Sequence, residues 1–91
     1  MSDVHNNIAG QRYELAVDGE TAIAAYHEAD GVVVFTHTEV PAAMQGHGVG
    51  GRLVAGAIDD VRRRGLKVVP ACTFVAAWFD EHPEAGDVLA D

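Results

Sequence analysis

Apolar and polar positions alternate through the first forty residues and then recur at helical spacing, and this change of period divides the chain into elements. Over residues 11–17, Tyr13, Leu15 and Val17 fall on one side and Arg12, Glu14 and Ala16 on the other, which predicts a half-buried strand. Asp18-Gly19 is a two-residue hairpin signal, so residues 20–28 should return antiparallel, with Ile23 and Tyr26 as the larger apolar side chains. Asp30-Gly31 repeats the device. Residues 31–39 then form a third strand, and the run Val32-Val33-Val34-Phe35 marks it as central to the sheet. On this pattern His37 and Glu39 share a face with Val33 and Phe35. Residues 1–10 show no period, carry Asn6-Asn7 and Gly10, and read as a flexible lead-in to one domain over 11–91.

Further along, Leu53, Val54, Ala57, Ile58 and Val61 recur at helical spacing while Asp59, Asp60, Arg62 and Arg63 fall on other faces. The spacing predicts an amphipathic helix that begins near Gly48 and stops at Gly65. Residues 66–72 read as a buried strand. A crossover this short makes the strands on either side of the helix parallel, right-handed neighbours. Pro41 and Pro70 lie at or near the ends of those two strands, and neither can donate a ladder hydrogen bond, so the pair is expected to splay there. Thr73 is placed to cap a short helix carrying Phe74, Val75, Trp78 and Phe79, which ends before His82-Pro83, and a last helical turn spans 83–90. The fold class is α/β (α+β): three antiparallel strands, a glycine loop, a helix, a parallel strand and C-terminal helices.

Between the third strand and the helix lies Gln45-Gly46-His47-Gly48-Val49-Gly50-Gly51. The glycines remove side chains that would obstruct a ligand, and a helix starting here aims unpaired N–H groups and its positive dipole end at an anion such as a phosphate. The spacing fits neither G-x-G-x-x-G nor a P-loop, since no Gly-Lys-Ser/Thr follows. The plainer alternative is a flexible glycine linker. Arg52 stands in the first helical turn, where a cation opposes the dipole, and its placement makes sense beside a bound anion.

Composition narrows the function classes. The 91 residues suit one modest core, and 48% hydrophobic with 22% charged residues indicates a folded soluble protein without a membrane span. A formal charge of -8 disfavours nucleic acid as a partner and is compatible with a cationic amine. The single cysteine rules out an internal disulfide, and with no signal peptide at the N-terminus it points to the cytoplasm. His5, His27 and His47 have no metal-ligand spacing, so no metal is expected.

Gln45-x-x-Gly48-x-Gly50 resembles the Q/R-x-x-G-x-G/A pyrophosphate motif of the GNAT superfamily of acyl-CoA-dependent N-acetyltransferases. His37-Thr38-Glu39-Val40-Pro41, Gly46-His47-Gly48-Val49-Gly50, residues 65–75 and His82-Pro83-Glu84 together resemble its small stand-alone branch. That resemblance implies a minimal GNAT fold and acetyl-CoA as cosubstrate. It implies pyrophosphate on Gln45, Gly46, His47, Gly48, Val49 and Gly50, pantetheine along Thr38, Glu39 and Val40, and the thioester close to Cys72. The acceptor would be an amine, on a protein or on a small molecule. Full-length members carry helices after the first strand that help bind the acceptor, and this chain lacks them, so an open site or a partner protein takes that role. Superfamily members usually transfer the acyl group directly. The compact branch places a cysteine near it, which allows a covalent route as well.

Cys72 can serve as nucleophile if the following helix lowers its pKa, or it can simply pack. His37 and Glu39 can each accept the ammonium proton or merely end the strand. Many superfamily members use a tyrosine on the last core helix to protonate the leaving thiolate, and the nearest equivalent here is Trp78, whose indole cannot do so. That departure keeps two alternatives open beside acetyl transfer: a CoA-binding module without turnover, and a protein-interaction domain.

Overall fold

Both Asp-Gly pairs close tight turns with positive φ at each central residue, 51° and 80° at Asp18-Gly19 and 54° and 79° at Asp30-Gly31. Such turns match the right-handed twist of antiparallel strands and fix their register. The computed structural model describes residues 3–90, so residues 1, 2 and 91 of the expected lead-in and domain lie outside the described residues. Five strands, β1 (His5–Asn7), β2 (Arg12–Val17), β3 (Glu20–Ala29), β4 (Val32–Glu39) and β5 (Lys67–Pro70), form one sheet in the order β1-β2-β3-β4-β5. The first four run antiparallel, and β5 lies parallel to β4 across the helix α1 (Val49–Arg63). A second helix, α2 (Thr73–Glu81), follows, with short 3-10 segments at Ala42–Met44 and Pro83–Val88.

Two expectations are corrected. The lead-in contains a strand, because His5, Asn6 and Asn7 pair with Glu14, Tyr13 and Arg12, and the Tyr26 hydroxyl donates to Asn6 Oδ1 at 2.6 Å. On β3, Ile23 points away from the core, and Ala22, Ala24 and Tyr26 face inward. Two alanines there leave room for α1 to lie close to the sheet and bury Leu53, Val54, Ala57, Ile58 and Val61. Each fully buried Leu or Ile contributes about 1.5–3 kcal/mol.

The second correction bears on function. Tyr26 pairs with Phe35 and Ala25 with His37, so Thr36 is an extra residue, a β-bulge. The bulge reverses the alternation beyond Phe35. Thr38, opposite the buried Ala24, now continues the core face, and His37 and Glu39, opposite Ala25 and Ile23, lie on the other face. The shared face of His37 and Glu39 with Val33 and Phe35 is therefore lost.

Ladder pairing of β4 with β5 ends at Phe35 and Pro70. The Cys72 N–H still donates to the Phe35 carbonyl at 2.8 Å, and the chain then turns into α2 while β4 continues to Glu39. The strands splay at Pro70, whereas Pro41 lies beyond the end of β4 and well past the break. On the other side of β5, Leu89 forms a parallel bridge with Val68, and the Ala90 N–H reaches the Val68 carbonyl at 2.8 Å. Among the described residues no helix is long and apolar enough to cross a membrane.

Candidate functional site

Gly48 caps α1 in the left-handed region at φ 72°, and Gly46 precedes it at φ 83°, both costly for any residue with a Cβ. The helix has no side-chain cap and no acidic residue in its first turn. Its first intrahelical bond runs from the Arg52 N–H to the Gly48 carbonyl at 3.1 Å, so the N–H groups of Val49, Gly50 and Gly51 have no partner within the helix. The positive dipole end is uncompensated, and that arrangement favours an anion. The 3-10 turn and a hydrogen bond from Gln45 Nε2 to the Val40 carbonyl at 2.9 Å hold the loop against the end of β4.

A groove of about 470 Å³ runs from this helix end to the splayed part of β4. Gly46, Gly48, Gly50 and Gly51 form one end, Thr38 and Val40 the other, and Met44 and Phe74 contribute apolar surface. A larger cleft of about 600 Å³ lies between Asp3, Val4 and the far side of α1. Its arginines are engaged with acids, Arg52 with Asp3, Arg62 with Asp59 and Asp87, Arg63 with Asp60, and it offers no free helix end. The smaller groove is the better candidate.

At the splay, Thr38 Oγ1 and Cys72 Sγ lie 3.3 Å apart. Cys72 itself, 9% exposed, is the N-cap of α2, and Thr73, the expected cap, is the first helical residue. Burial pushes the Cys72 thiol up, but the Thr38 hydroxyl and the N–H groups of Val75, Phe74 and Thr38 outweigh it and bring the pKa below the ordinary thiol value.

The sequence profile of the GCN5-related N-acetyltransferases matches residues 12–88. The chain belongs to that family. Its fold also matches the NMR solution structure of a GCN5-like protein from Staphylococcus aureus, with a TM-score of 0.69, 21% identity, and coverage of 99% of this chain and 91% of that one. None of the curated protein sequences matches significantly.

GCN5-related N-acetyltransferases generally carry acetyl from acetyl-CoA to amines. A Cβ built on Gly48 or Gly51 would meet nothing within 4 Å, so no neighbour of the fold requires glycine there and the space is open to a ligand. Of the residues expected to hold the cosubstrate, Thr38, Val40, Gln45, Gly46, Gly48, Val49 and Gly50 line this groove. His47 and Arg52 line a neighbouring depression with Met44 and Val49. Arg52 also pairs with Asp3 at 3.3 Å, an ion pair that accounts for a cation in the first turn.

Cys72 meets Thr38 at the groove's end, whereas Glu39 lines a separate cleft with Glu14 and Ile23 on the outer face. His37 Nε2 is 3.5 Å from Glu39 Oε2, and both side chains are largely exposed. On α2, Trp78 stacks on His82 with ring centroids 4.3 Å apart, and His82 Nδ1 is 3.2 Å from Glu84 Oε2 at the far end of the helix from Cys72. The two tyrosines, Tyr13 and Tyr26, are buried on β2 and β3, so neither stands in for the tyrosine that α2 lacks. Gly51, one of the glycines expected to clear the way for a ligand, lines the groove, and sequence reasoning missed Met44 and Phe74 as lining residues. Phe74 carried no signal for this role.

Proposed function

We propose that the protein transfers the acetyl group of acetyl-CoA to an amine, on a protein lysine, a terminal amine or a small molecule. One observation carries the reading: a single groove joins the uncapped start of α1 to the unladdered part of β4 and ends where Thr38 meets Cys72. The N–H groups of Val49, Gly50 and Gly51 take the pyrophosphate, and Gln45, Gly46 and Gly48 shape the loop around it. His47 and Arg52 stand beside that end, and Arg52 has to leave Asp3 before it can reach phosphate. The β4 edge over Thr38, Glu39 and Val40 offers backbone groups to the pantetheine amides.

Cys72 is the nucleophile in this reading. Its sulfur attacks the thioester carbonyl carbon, and the CoA thiolate leaves with the electron pair of the broken C–S bond. The acceptor amine then attacks the acetyl carbon on Cys72 and releases the cysteine thiolate. His37 and Glu39 lie on the opposite face of β4 from Thr38, so in this reading either takes the ammonium proton only through water that passes around the end of the strand. Trp78 in place of a tyrosine acid favours the alternative of a CoA-binding module without turnover.

Calorimetric titration with acetyl-CoA tests binding, with Gly48→Glu as the comparison. The variant puts a carboxylate at the phosphate end, at a left-handed position, and should lose at least about tenfold in affinity, or about 1.4 kcal/mol. Failure of the wild type to bind would sink the acyl-CoA reading. Intact-mass spectrometry after incubation then separates the alternatives: one acetyl group on the wild type and none on Cys72→Ala supports the covalent route, and binding without turnover over an amine panel supports the module.

A further inference from the structure

Among the described residues, Phe74 is one of few large apolar side chains that the fold leaves exposed, 42% accessible, and it lies on the wall of the groove. A Cβ built on Gly50 would stand 2.5 Å from the Phe74 Cζ, so any side chain there would push the exposed end of the ring aside. Gly50 has an ordinary helical φ, where alanine is the better helix former. The glycine at 50 therefore serves the approach of the ring and not the path of the backbone, in contrast to Gly48. Keeping an aromatic ring tight against the first turn of α1 while leaving much of it in water makes sense if something apolar covers it.

Resting on the acyl-CoA reading above, we infer that Phe74 is a specificity residue of the groove, an apolar wall that packs against the pantetheine arm. The arm runs from the phosphate end at Gly48 towards Thr38, and the ring lines the same groove as both. Its methylene and gem-dimethyl groups are the apolar part of CoA that reaches this stretch, since the nucleotide half stays with the backbone donors. Phe74 thus reads the arm, and the glycines read the phosphates.

Calorimetry with two ligands tests this: CoA, and the nucleotide half of CoA, which lacks the arm. Phe74→Ala should weaken CoA by about tenfold and leave the nucleotide half unchanged, with Phe74→Leu intermediate. Gly50→Ala should weaken CoA in the wild type but cost little in the Phe74→Ala background, because the ring that it displaces is gone. Equal losses for both ligands would make Phe74 merely structural, and tighter CoA binding would make it a plug; either overturns the inference, as does unchanged affinity. These outcomes stand apart from failure of the functional reading, which shows as a wild type that binds no CoA and takes the inference with it. If Phe74→Ala fails to fold, the two-ligand comparison on Phe74→Leu and Gly50→Ala still decides between an apolar wall and a structural ring.

Discussion

At Cys72, burial and hydrogen bonding act in opposite directions on one proton. Burial raises the thiol pKa, and the Thr38 hydroxyl with the N–H groups of Val75, Phe74 and Thr38 brings it below the ordinary value. Thr38→Val removes the hydroxyl and keeps the shape and the burial, so the pKa should rise. Thiolate absorbance against pH measures it: the wild type should titrate below an ordinary thiol and Thr38→Val above the wild type. The same midpoint in both proteins would show that Thr38 does not hold the thiolate. Sequence alone could not have drawn this pair together. Strict alternation assigned His37 and Glu39 to the core face, and the bulge at Thr36, a property of pairing with β3, gave that face to Thr38.

The first turn of α1 contains glycines retained for different reasons. Gly48 is fixed by its positive φ, and Gly50 by the Phe74 ring. Gly51 has neither reason, since it is helical and a Cβ there meets open space. Glycine in a helix costs up to about 1 kcal/mol relative to alanine, so the fold alone would select against it. Gly51→Ala should raise the thermal midpoint and, if phosphate approaches this turn closely, weaken acetyl-CoA. Stabilisation with unchanged affinity would remove Gly51 from the binding surface. The loop and helix were legible in the sequence because turn chemistry and helical period are local. β1 was not, because three residues of strand acquire their pairing only when β2 is already present.

Across the whole molecule, α1 joins two regions with different tasks. Its N-terminus faces the groove. Near its C-terminus, the Tyr13 hydroxyl donates to Asp60 Oδ2 at 2.6 Å, Arg64 donates to Glu28 at 2.9 Å, and Arg62 reaches Asp87 at 3.0 Å, tying β2, β3 and the last turn to one helix end. Gly48 and Asp60 are separated by about 18 Å of helix at 1.5 Å per residue. Tyr13→Phe keeps the ring packed against Tyr26 and removes the hydrogen bond, which should cost about 1–2 kcal/mol in urea denaturation, while acetyl-CoA affinity holds. Burial, then the Asp60 carboxylate, raises the Tyr13 pKa far above the usual phenol value. A raised folded-state pKa gives stability that is complete below the unfolded value, about pH 10, and is lost as pH rises beyond it. Wild type should therefore lose stability above about pH 10 more steeply than Tyr13→Phe. Parallel alkaline curves would mean that the hydroxyl contributes nothing, and a loss of ligand affinity matching the loss of stability would mean that the two ends of α1 are not independent.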